Sequence, residues 1–141
     1  MDIDFAFLCD HADASGGKLD AIGIGIDTLF ATKLPHVQQQ LFFVAQLRAQ
    51  ITEEGIHPLK LNLIDADGAS VVSLSGQANV GRPQRGTEAV ARILLRLVNV
   101  SFKAEGDYSF RLVLDNLEAV RIPLRVSLRS QSEPRTSTTP G

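Results

Sequence analysis

The chain has one cysteine, Cys9, no tryptophan, and a single tyrosine, Tyr108, among only 6% aromatic residues. One cysteine excludes an internal disulfide and agrees with a reducing, cytoplasmic setting. No apolar run approaches the ~20 residues of a membrane-spanning helix. The opening Met1-Asp2-Ile3-Asp4-Phe5 carries acid where a secretory signal carries base, and alternates where a signal is uniformly apolar. A phosphate loop, a dinucleotide fingerprint, a nucleophile elbow and a paired-glutamate motif are all missing. These absences remove the usual motif-borne chemistries. They leave a soluble, cytoplasmic chain for which no enzyme activity, cofactor, metal or small-molecule substrate is expected.

What is present is the pattern of β-sheet. Tyr108, Phe110, Leu112 and Leu114 alternate with Asp107, Ser109 and Arg111, then Asp115-Asn116 intervenes, then Ile122, Leu124 and Val126 alternate with Arg121, Arg125 and Ser127. Period-two apolar spacing on both sides of a short polar turn defines a half-buried hairpin. Ile3, Phe5 and Phe7 open the chain as a strand with an acidic outer face, and Gly16-Gly17 can take the positive φ of a tight turn into a strand over Lys18 to Ile26. Further strands are expected over Thr28 to Thr32, Leu41 to Ile51, Leu59 to Ile64 and Val71 to Val80, with Gly81 to Gly86 as the clearest internal loop. Glu88 to Val100 fits two readings. Val90, Ile93, Leu94, Leu97 and Val98 sit at helical spacing behind a capping Thr87, whereas a strand would place Ile93, Leu95 and Leu97 on one face. The strand is preferred because it completes a sheet with the final hairpin.

At 141 residues the chain is one domain. About eight strands with short turns define an all-β protein, a two-layer antiparallel β-sandwich of immunoglobulin-like or C2-like type. The alternative is a partly open β-barrel with one helix at 88–98. The sandwich is expected to span 1–128, and residues 129–141, rich in Ser, Thr and Pro, to form a flexible tail.

Phe5-Ala6-Phe7-Leu8-Cys9-Asp10, Gly17-Lys18-Leu19, Ile22-Gly23-Ile24-Gly25-Ile26-Asp27, Gly106-Asp107-Tyr108-Ser109-Phe110 and Pro123-Leu124-Arg125-Val126 together resemble a group of short bacterial proteins classed only as a domain of unknown function. The resemblance covers residues 2–128. It implies a cytoplasmic bacterial β-sandwich, and a strand at Glu88 to Val100, and carries no catalytic or binding residues.

Few residues invite a chemical reading. Tyr108 stands at the entry to a late strand, where its hydroxyl can bond back across the corner to the backbone. Asp65-Ala66-Asp67-Gly68 is a hairpin turn by composition, and calcium would require further oxygens from Asp10, Asp13 or another loop. His11, His36 and His57 lack metal-ligand spacing and read as solvated loop residues. Cys9 and His11 share a face without placed oxyanion donors, so Cys9 reads as a small buried residue.

Charge is the remaining pattern. Residues 1–81 hold ten acids and four bases, whereas 82–141 hold six acids and ten bases, nine of them arginine. Arginine makes bidentate contacts with carboxylates and phosphates and is enriched at contact surfaces. In adjacent strands Arg92, Arg96, Arg111, Arg121 and Arg125 would share one outer face, interleaved with Val90, Leu94, Val98 and Val113. Those five are the expected binding residues. The expected function is a non-catalytic protein-binding or self-assembling module whose partner is a protein, including a second copy of itself. The alternative is an anionic ligand, nucleic acid or a membrane surface. Nucleic acid is disfavoured because the chain is net acidic and has no aromatic stacking platform among the arginines.

Overall fold

The computed structural model describes residues 1–83 and 86–129, so most of the tail expected over 129–141 lies outside the described residues. Ten strands follow one another: β1 (Asp2–Cys9), β2 (His11–Ser15), β3 (Lys18–Ile22), β4 (Thr28–Ala31), β5 (His36–Gln50), β6 (Gly55–Ile64), β7 (Ser70–Val80), β8 (Glu88–Phe102), β9 (Gly106–Leu114) and β10 (Leu117–Leu128). A single 3-10 turn, Ile51–Glu53, links β5 to β6. The all-β expectation holds, with ten strands among the described residues where about eight were anticipated. Glu88–Phe102 is a strand throughout, so the helix alternative at 88–98 falls. No helix among the described residues is long and apolar enough to cross a membrane.

The strands form a three-stranded sheet, β1-β5-β8, a five-stranded sheet, β4-β10-β9-β6-β7, and the hairpin β2-β3. Among the described residues all pairings are antiparallel except β4 with β10, which is parallel. The final hairpin forms as its alternation requires. Asp115 and Asn116 take φ of 50° and 67° at its turn, the paired left-handed conformation that matches strand twist and favours Asn and Asp. β8 does not complete a sheet with that hairpin. It pairs with β5 from His36↔Phe102 to Gln50↔Glu88 and so lies in the opposite layer.

The two sheets face each other across one core, in which Phe43 and Phe110 pack with ring centroids 6.2 Å apart. β5 explains why Leu41 to Ala45 is an unbroken apolar run. Leu41, Phe43, Ala45 and Leu47 point into the main core, whereas Phe42 and Val44 point outward into a second cluster with Cys9 and Ala12. Leu19 and Ala21 of β3 pack against that cluster. The β2-β3 hairpin thus covers the outer face of the small sheet, and a strand buried on both faces needs apolar residues at every position.

One side of the sandwich is stitched. Gly25 and Ile26 donate backbone N–H bonds to the Leu8 carbonyl of β1, and the Asp27 carbonyl accepts from the N–H of Arg125 in β10. The segment between β3 and β4 therefore joins both sheets through backbone bonds. On the other side β7 ends the large sheet and β8 ends the small one, with no ladder between them among the described residues.

Candidate binding cleft between two strand edges

Where β7 and β8 diverge, far from the loop that joins them, lies a cleft of about 630 Å³. Clefts of roughly 300 to 1,000 Å³ suit small ligands and short peptide segments. One wall is the start of β7, with Val71, Val72 and Leu74, and the other is the end of β8, from Arg96 to Ser101. β8 is irregular here. Asn99 has φ of 54°, outside any turn, and the buried positions change phase across it: Ile93 and Leu97 before it, and Val100 and Phe102 after it, all reach the main core. A left-handed residue that shifts the inward face bends its strand and re-aims its neighbours. Val98, half exposed at 51%, faces outward on the wall this bend creates.

The mouth is built by two turns, each pinned by its own hydrogen bonds. In the β6-β7 turn, Asp65 Oδ1 accepts from the N–H of Asp67 and of Ala69, both at 2.9 Å. That is the turn role read from the sequence, and Gly68 supplies the positive φ it needs. In the β8-β9 turn, the Tyr108 hydroxyl donates to the Ala104 carbonyl at 2.6 Å, the bond back across the corner anticipated for this tyrosine. Glu105 Oε2 accepts from the N–H of Leu128 at 2.8 Å, and Asp107 pairs with Arg125 at 2.7 Å. Asp65, Asp67, Glu105 and Asp107 therefore gather at the loop end of the cleft with Lys103, while Arg96 stands deeper on β8. Among the described residues no three His, Cys, Asp or Glu side chains could together hold a metal ion.

The five arginines divide between two layers. Arg92 and Arg96 lie on β8 in the small sheet, and Arg111, Arg121 and Arg125 on β9 and β10 in the large one. The expectation of one shared face is thus corrected by strand pairing, which places β8 beside β5. Most of them also have local partners. Arg92 donates to Gln46 and to the Gly17 carbonyl at the tip of the β2-β3 hairpin, and Arg96 donates to Gln40. Arg111 and Arg121 stand directly opposite each other across β9 and β10 and share one carboxylate, Glu118, at 4.0 and 3.4 Å.

The other flagged residues lie away from the cleft. His57 is only partly exposed, and its ring bridges two elements: Nδ1 meets Asp115 Oδ2 at 2.7 Å and Nε2 meets the Glu53 carbonyl at 2.6 Å. Both partners are acceptors, so both ring nitrogens donate. The backbone carbonyl of Glu53, then the Asp115 carboxylate, hold the His57 pKa above its ordinary value. Cys9 is fully buried, and desolvation pushes its thiol pKa up. Of the cleft walls, the sequence marks Arg96 as an expected contact residue and Val98 as its apolar neighbour, and Asp65 and Asp67 only as a turn, whereas Val71, Val72 and Leu74 resemble any core strand.

The chain belongs to a family of unknown function (DUF6941), which it matches over residues 4–127. The match spans both sheets and the cleft. No curated protein matches the chain.

Proposed function

We propose that this chain is a non-catalytic protein-binding module and that the cleft between β7 and β8 receives a segment of its partner. The observation that carries this reading is the asymmetry of the seam: backbone bonds join the sheets at Leu8 and Arg125, while the β7 and β8 edges remain apart around about 630 Å³. Free strand edges present rows of unpaired donors and acceptors that another chain can complete. Binding rather than catalysis is supported by the wall chemistry, which is mainly aliphatic and carboxylate, with no histidine or cysteine among the lining residues. A bacterial, cytoplasmic setting is part of the proposal, and the lone, buried Cys9 thiol fits the reducing compartment.

The test is selection of short peptides by display on the native protein, followed by amide NMR of the best binder. Shifts confined to Ser70–Leu74 and Arg96–Ser101 are expected, together with loss of binding in Val98→Arg. Selected peptides that shift only the outer sheet faces would overturn the reading.

A second reading, an anionic ligand on the large sheet, is favoured by one observation: Arg111 and Arg121 face each other over a single acid, and Arg111 Nε is buried without a hydrogen-bond partner. Directly opposed like charges destabilise a sheet unless a counterion joins them. Phosphate that raises the melting temperature of the native protein but not of Arg121→Gln would support it, and equal effects on both would remove it.

A further inference from the structure

The two edges of the cleft are chemically unlike, and so are its two ends. β7 is eleven residues long, contains no proline and no charged residue, and ends its sheet. Natural edge strands are usually blunted by charge, proline, bulges or shortness. β8 is blunted in this way, because Arg92 and Arg96 lie on it and the left-handed Asn99 interrupts it. The unprotected edge is therefore β7, and the apolar side chains of Val71, Val72 and Leu74 lie along its half of the cleft.

We infer that the occupant is an extended segment of a partner protein that adds as a strand to the free edge of β7, with a lysine or arginine at the loop end of the cleft. This rests on the cleft being the binding site. Backbone pairing with β7 supplies the contact that no side chain need specify. The carboxylates of Asp65, Asp67 and Glu105 supply the polarity, since the salt bridge to Arg125 engages Asp107 and Lys103 offers one opposing charge. Asp65 and Glu105 use carboxylate oxygens as acceptors for backbone N–H groups, so they are held in place at the mouth. A cationic side chain entering there meets opposite charge without any rearrangement of the loops. The acids are confined to the loop end and the neighbouring Val71, Val72, Leu74 and Val98 are uncharged, so the position of the cation sets the direction in which the segment lies. A single strand fits a cleft walled by β8 on its far side, whereas the edge of a second copy would bring its whole sheet against that wall.

The probes are peptides of about six alternating Val and Thr residues, ended by Lys-Lys, Gln-Gln or Glu-Glu, with a fluorophore at the other end. A fourth probe is the lysine peptide N-methylated at alternate amides. The lysine peptide is expected to bind the native protein at least about tenfold more tightly than the glutamate peptide. That preference should collapse in the triple variant Asp65→Asn, Asp67→Asn, Glu105→Gln, whose amide oxygens keep the turn hydrogen bonds. N-methylation should abolish binding. Equal affinity for all three charges, with shifts still at the cleft, would overturn the inference and leave the binding site standing. Unimpaired binding of the N-methylated probe would overturn strand addition. Failure of every probe to shift the cleft amides would remove both. A dimer by light scattering that becomes a monomer in Val98→Lys would make a second copy the occupant and contradict the proposal.

Discussion

Single side chains close this fold at its corners, and two of them make testable statements. The Tyr108 hydroxyl is held against the Ala104 carbonyl at 2.6 Å, and the ring stacks edge-on against Phe102 at 5.0 Å. Tyr108→Phe keeps the packing and loses the bond, so urea denaturation should show a loss of about 1 kcal/mol. Unchanged stability would mean that water serves the carbonyl equally well. His57 links the 3-10 turn to the β9-β10 turn through two acceptors and must be an imidazolium to satisfy both. Its pKa is raised on folding, so its contribution is complete below the unfolded value of about 6.5 and is lost as pH rises through the folded value. Melting temperature should therefore fall as pH rises above about 6.5, and His57→Gln should flatten that fall. An equally steep profile in the variant would assign the fall to other groups. Tyr108 was legible from sequence because its role is set within five residues. His57 was not, since Asp115 lies fifty-eight positions away.

At the scale of elements, local pattern and distant pairing part company. Asp107 to Leu128 folds as its alternation dictates, because a two-residue turn pairs the strands locally, with one register shift between Glu118 and Val120. β8 shows the opposite case. Its strand character could be preferred from Ile93, Leu95 and Leu97, yet its neighbour is β5, whose paired residues lie dozens of positions upstream. Nothing in the local pattern distinguishes that partner from β9, which is why the arginines were expected on one face. Asn99 holds a positive φ in mid-strand, which asparagine tolerates and a β-branched residue does not. Asn99→Val should destabilise by about 1–2 kcal/mol while Asn99→Gly does not, read by thermal melts; equal effects would show that the bend is not needed. The β2-β3 hairpin covers Cys9, and Arg92 Nη1 tethers its tip through the Gly17 carbonyl at 3.1 Å. Arg92→Met should raise the rate of thiol labelling at Cys9 about fivefold, the equivalent of ~1 kcal/mol. An unaltered rate would mean that the hairpin opens without breaking that tether.

For the molecule as a whole, the decisive feature is a sandwich closed on one side and open on the other. The closed side is half legible in the glycines Gly23 and Gly25, which suit a bulge or a close approach in a strand: Gly23 lies against the Asp10 side chain and Gly25 donates its N–H to the Leu8 carbonyl. The open side was not legible, because a gap between β7 and β8 is a property of sheet order and belongs to no single segment. Hydrogen exchange on the free protein, followed amide by amide, tests this most directly, since paired backbone is protected and an open edge is not. Fast exchange at alternate residues of Ser70–Leu74 and Arg96–Ser101 is expected, against slow exchange in β5, β6 and β9. Uniform protection along both edges would show the seam closed in solution and contradict the open cleft on which the proposed function rests.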